Sequence, residues 1–376
     1  MIDHDSAGHY VVSGKKYHNK LEAYTVALPQ GHWPHWHFHD EFFGQQNWTR
    51  EPCESLQNLY AQRARHIREQ YNYVIVWFSG GADSDNVVRS FLHNGLHIDE
   101  IWHRSSWQRL ERTDMGLDSC NQANETRHTA IPLLQEYQQL SPGTKIKIFD
   151  AMNLAIDSWS NDPVSLEQTN YFNPLAPAKH LSHRFNETNC TGKIAKVTGV
   201  DKPRLHYRDG KYYFYFLDSL VNNQIMPSRL TNDTEVDLCF YWDPAAFEIL
   251  SKQAHLVKNY FEKNQALRWM LDLKSFDAVD TKHYNNTIKS IIYPHWNNNC
   301  FQTLKASSDI DHEEFFWFYR NTQHQAFKNW FELASGYSNS VKRIYQDLLP
   351  EQHNYSTVGH FSMLPENYSK FYQISA

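Results

Sequence analysis

The stretch YVIVWFSGGADSDNVVRSFL, Tyr73 to Leu92, decides the fold. It opens with a short continuous apolar run, YVIVWF (73–78), rich in β-branched residues, the pattern of a strand covered on both faces. From Asp83 the period changes. Val87, Val88, Phe91 and Leu92 mark one face of a helix, and Asn94-Gly95 supplies its stop. Between strand and helix stands Ser-Gly-Gly-Ala-Asp-Ser. The chain has 14 glycines in 376 residues, and two of them adjoin here. Backbone at this bend is therefore built to pass close to another group.

Working outward, the same alternation repeats. IDEIWHR (98–104) is expected as a second strand, and SCNQANETRHTAIPLLQEYQQL (119–140) as a helix with Ser119 at its N-cap and a kink at Pro132. KIKIFD (145–150) is a third strand and AKVTGV (195–200) a fourth. Leu56, Leu59, Tyr60, Ala64 and Ile67 lie at helical spacing just before the set. Strands alternating with helices predict an α/β domain with a doubly wound, mostly parallel sheet. A hairpin around Asp209-Gly210 and a strand in EVDLCFYW (235–242) should follow. Beyond Pro244 helices are expected over 245–263, 265–273, 311–334 and 338–349. The chain thus divides into an irregular N-terminal arm (1–53), the α/β domain (54–243) and a mostly helical C-terminal domain (244–376).

Composition narrows the function classes. The chain is 41% hydrophobic, with 12 Trp, 22 Tyr and 22 Phe, enough for a large core. A net charge of −6 argues against a dedicated duplex-DNA binder, which would carry a basic face. The five cysteines are far apart in sequence, without the close spacing of a zinc or iron–sulfur site. No apolar run is long enough to span a membrane. The N-terminus MIDHDSAGHYVV lacks the basic start and apolar core of a signal peptide, so a cytoplasmic protein is expected.

Ligands of open α/β sheets bind outside the carboxyl ends of the strands. Residues 79–84 occupy such an end and lead into a helix, whose first amides and positive dipole end suit an anion. Gly80 and Gly81 allow a phosphate to come near, with Ala82 as the small residue between glycines and acid. Ser79 and Ser84 offer hydroxyl donors. Asp83 would repel bare phosphate, so it fits best with Mg²⁺ between the two. The lysine of a Walker A loop is missing, and no G-x-G-x-x-G is present.

The pattern S-G-G-x-D-S after an apolar strand resembles the PP-loop of the ATP pyrophosphatase superfamily, whose fold is adenine nucleotide α-hydrolase-like. The resemblance covers about 130 residues around the loop, and the flanks resemble bacteriophage-encoded members. It implies cleavage of ATP between its α- and β-phosphates with Mg²⁺. A substrate oxygen takes the adenylyl group, pyrophosphate leaves, and a nucleophile then displaces AMP. Ser79 to Ser84 would cradle the phosphates, with Asp83 as metal ligand.

KVTGVDKPRLHYR (196–208) also follows an apolar strand. Gly199 stands at its carboxyl end, followed by Asp201, Lys202 and Arg204. If this strand lies beside the first, Lys202 and Arg204 can neutralise phosphates. They look like the second motif that PP-loop enzymes carry after a later strand, although the spelling TGVDKPR differs from that of asparagine synthetase. At the end of the second strand, His103 and Arg104 are candidates beside the adenine or ribose.

GHWPHWHFHDEFFGQQNW (31–48) presents His35, His37, His39 and Asp40, open to three readings: a metal site, an aromatic substrate lid, or an arm packed across the α/β domain. Trp242-Asp243-Pro244 reads as helix initiation, with a cleft lined by Trp242, Gln253 and His255 as the alternative. Sulfur-transferring relatives carry close Cys pairs, and phosphoadenylylsulfate reductases a C-terminal Cys; the tail GHFSMLPENYSKFYQISA has none. The resemblance therefore favours an AMP-forming ligase acting on a small-molecule, nucleotide or nucleic-acid-related substrate. A non-catalytic nucleotide-binding protein and a reductase-like or sulfur-transfer enzyme are the alternatives.

Overall fold

The chain enters through a hairpin. Strand β1 (His9–Val12) turns at Ser13 and Gly14, both with positive φ (49° and 79°), into β2 (Lys15–Tyr17). Two left-handed residues in a two-residue connection suit the twist of an antiparallel pair. Helix α1 (Lys20–Ala27) follows, then β3 (His35–His37), which pairs with β1, and the short helix α2 (Asp40–Phe43). The expected irregular arm is thus a three-stranded antiparallel sheet in the order β2-β1-β3 with a helix attached. Its strands have three or four residues, too few for alternation to show in the sequence. The computed structural model describes residues 8–18, 20–105, 126–150, 192–218, 235–271, 278–296, 323, 325, 328, 329, 332 and 367–375.

Helix α3 (Leu56–Gln70) starts at Ser55, whose hydroxyl accepts the Asn58 amide at 3.2 Å. Strand β4 (Tyr73–Trp77), helix α4 (Ala82–Leu92) and strand β5 (Glu100–Ser105) come next. A π-helical turn at Thr126–Ala130 runs directly into α5 (Ile131–Leu140), and Pro132 stands where the one passes into the other. Strands β6 (Lys145–Asp150) and β7 (Ile194–Thr198) follow. The hairpin β8 (Arg204–Arg208) and β9 (Lys211–Tyr215) turns at Asp209 and Gly210 as expected. Strand β10 (Glu235–Cys239) precedes a 3₁₀ turn, Pro244–Ala246, and helix α6 (Phe247–Lys263). Gln265–Leu271 is 3₁₀ rather than α, and α7 (Ala278–Ile292) was not foreseen. The tail returns as β11 (Tyr372–Gln373) against β9.

Five parallel strands form the central sheet in the order β10-β7-β4-β5-β6. The chain therefore builds outward from β4 through β5 to β6, then crosses to the other side of β4 for β7 and β10. The winding reverses between β4 and β7. One face of the sheet (Val74, Val76, Ile101, Ala195, Val197) shares a core with Leu59, Ala64 and Ile67 of α3, Val87, Val88 and Phe91 of α4, and Leu134 and Tyr137 of α5. Each Val, Leu, Ile or Phe among them contributes roughly 1.5–3 kcal/mol by leaving water. The other face carries Ile75, Trp102 and Ile194, with Lys196–Glu235 (2.6 Å) and Lys147–Glu100 (2.8 Å) ion pairs flanking Trp102. The link from β6 to β7 lies outside the described residues.

The same core runs on through the N-terminal sheet and the returning tail. Trp48 stacks on Phe214 (4.8 Å) and Tyr372 (5.0 Å), while Phe38 and Phe43 meet Phe216. Cys120, Cys190, Cys300, Ser119 and the helix expected over 338–349 lie outside the described residues. The helix expected over 311–334 is described only at 323, 325, 328, 329 and 332, the last four of them helical. Among the described residues no helix is long and apolar enough to cross a membrane.

Candidate nucleotide site

The strand order changes direction between β4 and β7, the place where open α/β sheets take ligands at the carboxyl ends of their strands. Ser79–Ser84 follows β4, and Gly199–Arg204 follows β7. These two segments face one another there.

The first is a self-braced turn. Gly80 takes φ +89°, a conformation that side chains disfavour. The Ser79 amide donates to the Ser84 hydroxyl at 3.1 Å, the Ser84 hydroxyl donates to the Gly81 carbonyl at 3.0 Å, and the Gly81 amide donates to the Ser79 hydroxyl at 3.2 Å. Both hydroxyls brace the loop, Ser84 by donating to Gly81 and Ser79 by accepting from it. Gly81 stands at the N-cap of α4 and offers no side chain to cap it. First-turn amides of a helix have no intrahelical acceptor, so this end favours an anion.

The second segment packs against the first through Gly199. A Cβ there would lie 2.8 Å from the Asp83 carbonyl oxygen and 3.0 Å from the Ser84 nitrogen. Gly199 thus serves the close approach of β7 to the start of α4. That approach brings Lys202 to Asp83. Its ammonium lies 2.8 Å from Asp83 Oδ2 and 3.2 Å from Asp201 Oδ1, and Arg204 Nη2 lies 3.4 Å from Asp201 Oδ2. Lys202 is only 7% exposed.

Burial alone would push the Asp201 carboxyl up. The Lys202 ammonium and the Arg204 guanidinium outweigh it and hold that group below the usual carboxylate range. Burial likewise favours neutral Lys202, but the carboxylates of Asp83 and Asp201 overcome it and raise the ammonium above its ordinary value. Both groups are charged at neutral pH.

Two further residues complete the site. The Tyr293 hydroxyl, just beyond α7, donates to Asp83 Oδ1 at 2.6 Å. The Tyr241 hydroxyl donates to the Asp83 carbonyl oxygen at 3.0 Å and accepts from Asn86 Nδ2 at 2.8 Å. Sequence reasoning found neither. Tyr241 had a signal, since it follows β10 at the same edge of the sheet. Tyr293 had none, being carried in by a helix far along the chain.

Other expected residues lie elsewhere. His103 is buried, with Nδ1 bonded to the Phe78 carbonyl (2.9 Å) and Nε2 to the Thr126 hydroxyl (3.3 Å), so its ring packs beneath the loop. The Arg104 side chain lies outside the described residues. Trp242, Gln253 and His255 line no cleft: Trp242 is core, Gln253 donates to the Tyr60 hydroxyl (2.9 Å), and His255 bonds the Trp48 carbonyl (2.9 Å). Asp243 is the helix initiator expected, its carboxylate accepting the Ala245 amide at 2.8 Å. In the N-terminal segment His37 pairs with Asp40 at 2.8 Å, and Trp36, Phe38 and Phe43 are core instead of a lid. Among the described residues no three His, Cys, Asp or Glu side chains converge as a metal site. Comparison of the chain with protein-family models and with curated proteins finds no match.

Proposed function

We propose that this protein binds Mg²⁺ and ATP at the β4–β7 crevice of a doubly wound, adenine nucleotide α-hydrolase-like sheet. It cleaves the nucleotide between its α- and β-phosphates, passes the adenylyl group to a substrate oxygen, and releases AMP when a nucleophile attacks. The observation that carries this reading is the meeting of two distant motifs: Lys202, 119 positions from Asp83, bonds its carboxylate at 2.8 Å.

The residues suit a Mg²⁺ ion. Asp83 and Asp201 bring two carboxylates to one cationic point, now bridged by an ammonium. Mg²⁺ is usually held by one or two carboxylates, with substrate phosphate and water completing its shell. Asp83 and Asp201 would hold it, and it would supply neutralising charge at the departing pyrophosphate.

The chain's own groups do the rest. The start of α4 and the Gly80-Gly81 backbone receive phosphate oxygens. Lys202 and Arg204 counter the charge that grows on the leaving group, which lowers the barrier more than it strengthens ground-state binding. The acceptor is a small molecule or a nucleotide.

Incubation with ATP labelled at the α-phosphate tests the reaction. Labelled AMP with free pyrophosphate is expected, and labelled ADP would refute the proposal. Binding without turnover across a broad panel of acceptors would favour a non-catalytic nucleotide-binding protein. Asp83→Asn, which keeps the shape and removes the charge, should abolish pyrophosphate release with the fold intact; near-normal turnover would remove Asp83 from the metal role.

A further inference from the structure

Asp83 is held at three atoms by three different parts of the chain. Lys202, after β7, takes Oδ2 at 2.8 Å. Tyr293, after α7, donates to Oδ1 at 2.6 Å. Tyr241, after β10, donates to the backbone carbonyl at 3.0 Å. The two tyrosine rings lie 5.9 Å apart and are buried, while the Asp83 side chain between them and Lys202 keeps 18% exposure. The Tyr293 hydroxyl has the Asp83 carboxylate as its acceptor. The carboxylate is held at both oxygens, by Tyr293 on one and Lys202 on the other, and Tyr293 keeps its contact if Lys202 moves. Tyr293 itself is anchored: its amide donates to the Lys289 carbonyl at 3.0 Å, and the Ile292 carbonyl next to it accepts the Tyr60 hydroxyl at 2.9 Å.

We propose that Tyr293 is a positioning residue of the nucleotide site: through the oxygen that Lys202 leaves, it fixes the Asp83 carboxylate, so the loop is catalytically complete only with α7 docked. This rests on the ATP-cleaving reading above and extends it. The α/β sheet alone then holds the phosphate loop but not its aimed carboxylate. Residues 278–293, helix α7 and the tyrosine that ends it, then belong to the active site.

Tyr293→Phe removes one oxygen and keeps the ring. The hydroxyl touches Asp83 and not the nucleotide, so its loss should fall on kcat more than on KM. A hydrogen bond to a charged partner corresponds to about a ten- to hundredfold effect, and kcat for pyrophosphate release should fall by that factor. KM for ATP should stay within about threefold. Mn²⁺ binding, followed by electron paramagnetic resonance with α,β-methylene-ATP present, should weaken by about tenfold. Unchanged kcat and Mn²⁺ affinity in Tyr293→Phe would overturn the assignment.

A second measurement keeps the fold intact. Fluorotyrosine placed at 293 retains the hydroxyl, and its fluorine resonance should shift when Mg²⁺ and the analogue are added; an unmoved signal counts against the role. Wild-type protein that cleaves ATP while Tyr293→Phe matches it removes only Tyr293. Wild-type protein that binds no nucleotide removes the site and this inference together.

Discussion

Replacing Lys202 by Met tests the junction on which the site is built. The change keeps an apolar stem of similar length and deletes the charge. Two carboxylates lose their shared partner, Asp83 at 2.8 Å and Asp201 at 3.2 Å. Removing one member of a buried ion pair costs about 3–5 kcal/mol, because the remaining charge stays desolvated. Here the loss should lie at the low end. The Asp83 and Asp201 side chains keep 18% and 14% exposure, and Tyr293 and Arg204 still hold them. A destabilisation of about 3 kcal/mol, or a melting temperature lower by about 4 °C, is expected.

The pH dependence of that difference has a definite sign. Asp201 is held below its ordinary value, so its contribution is present above about pH 4 and fades as pH falls through the lowered value. Lys202 is raised, so its contribution is complete below about pH 10 and is lost only as pH rises through the higher value. The gap between wild type and Lys202→Met should therefore be flat from about pH 5 to pH 9 and shrink in acid. Melting followed by circular dichroism over that range measures it. Millimolar Mg²⁺ should restore part of the stability of Lys202→Met and leave wild type almost unmoved, since the vacated point lies between two carboxylates. Equal melting of the two proteins would refute the claim that this ammonium ties the two loops. Equal stabilisation by Mg²⁺ would refute the claim that the ion takes the same place.

Gly199→Ala should cost about 1–3 kcal/mol and weaken nucleotide binding together, because its Cβ would press on the Asp83 carbonyl at 2.8 Å. Calorimetric titration with an ATP analogue checks it, with Gly210→Ala, at a hairpin with nothing within 4 Å, as the control that should bind normally. Lys20→Met should destabilise by about 3–5 kcal/mol, since Lys20 and Asp218 are 1% and 0% exposed and pair at 2.7 Å. Urea unfolding measures the loss, and the double variant Lys20→Met with Asp218→Asn should recover part of it.

The strand, turn and helix at 73–92 were legible because three local signals agree there: an apolar run, a glycine bend and a change of period. Lys202 was legible for a different reason. A polar cluster after an apolar strand has one place to go in a parallel sheet, the carboxyl edge, and β7 lies beside β4. The N-terminal sheet was missed although Ser13-Gly14 carries a hairpin signal, because His and Trp residues drew the reading towards ligands. Those aromatics are consumed by packing, as are Gln253 and His255, whose polar atoms pair with groups distant in sequence. No local pattern announces such a partner. The same holds for Tyr293, 210 positions from Asp83.

The charges of the site explain why metal and nucleotide should act together. Asp83 and Asp201 are balanced by Lys202 and Arg204, so the cluster is neutral and paired within itself. A triphosphate approaching the start of α4 competes with both carboxylates for the same two cations. If Lys202 turns to the phosphates, Asp83 and Asp201 are left facing several added negative charges in a partly dry crevice, where repulsion is weakly screened. A further cation at the point Lys202 leaves would restore the balance, and on the proposed function Mg²⁺ brought by the nucleotide is that cation. Tyr293 and Tyr241 cannot take that part, because both are neutral donors. They hold Asp83 in place while its charged partner is exchanged, and an exchange of cations around a fixed carboxylate is how a self-paired cluster can open to an anion without unfolding the loop that carries it.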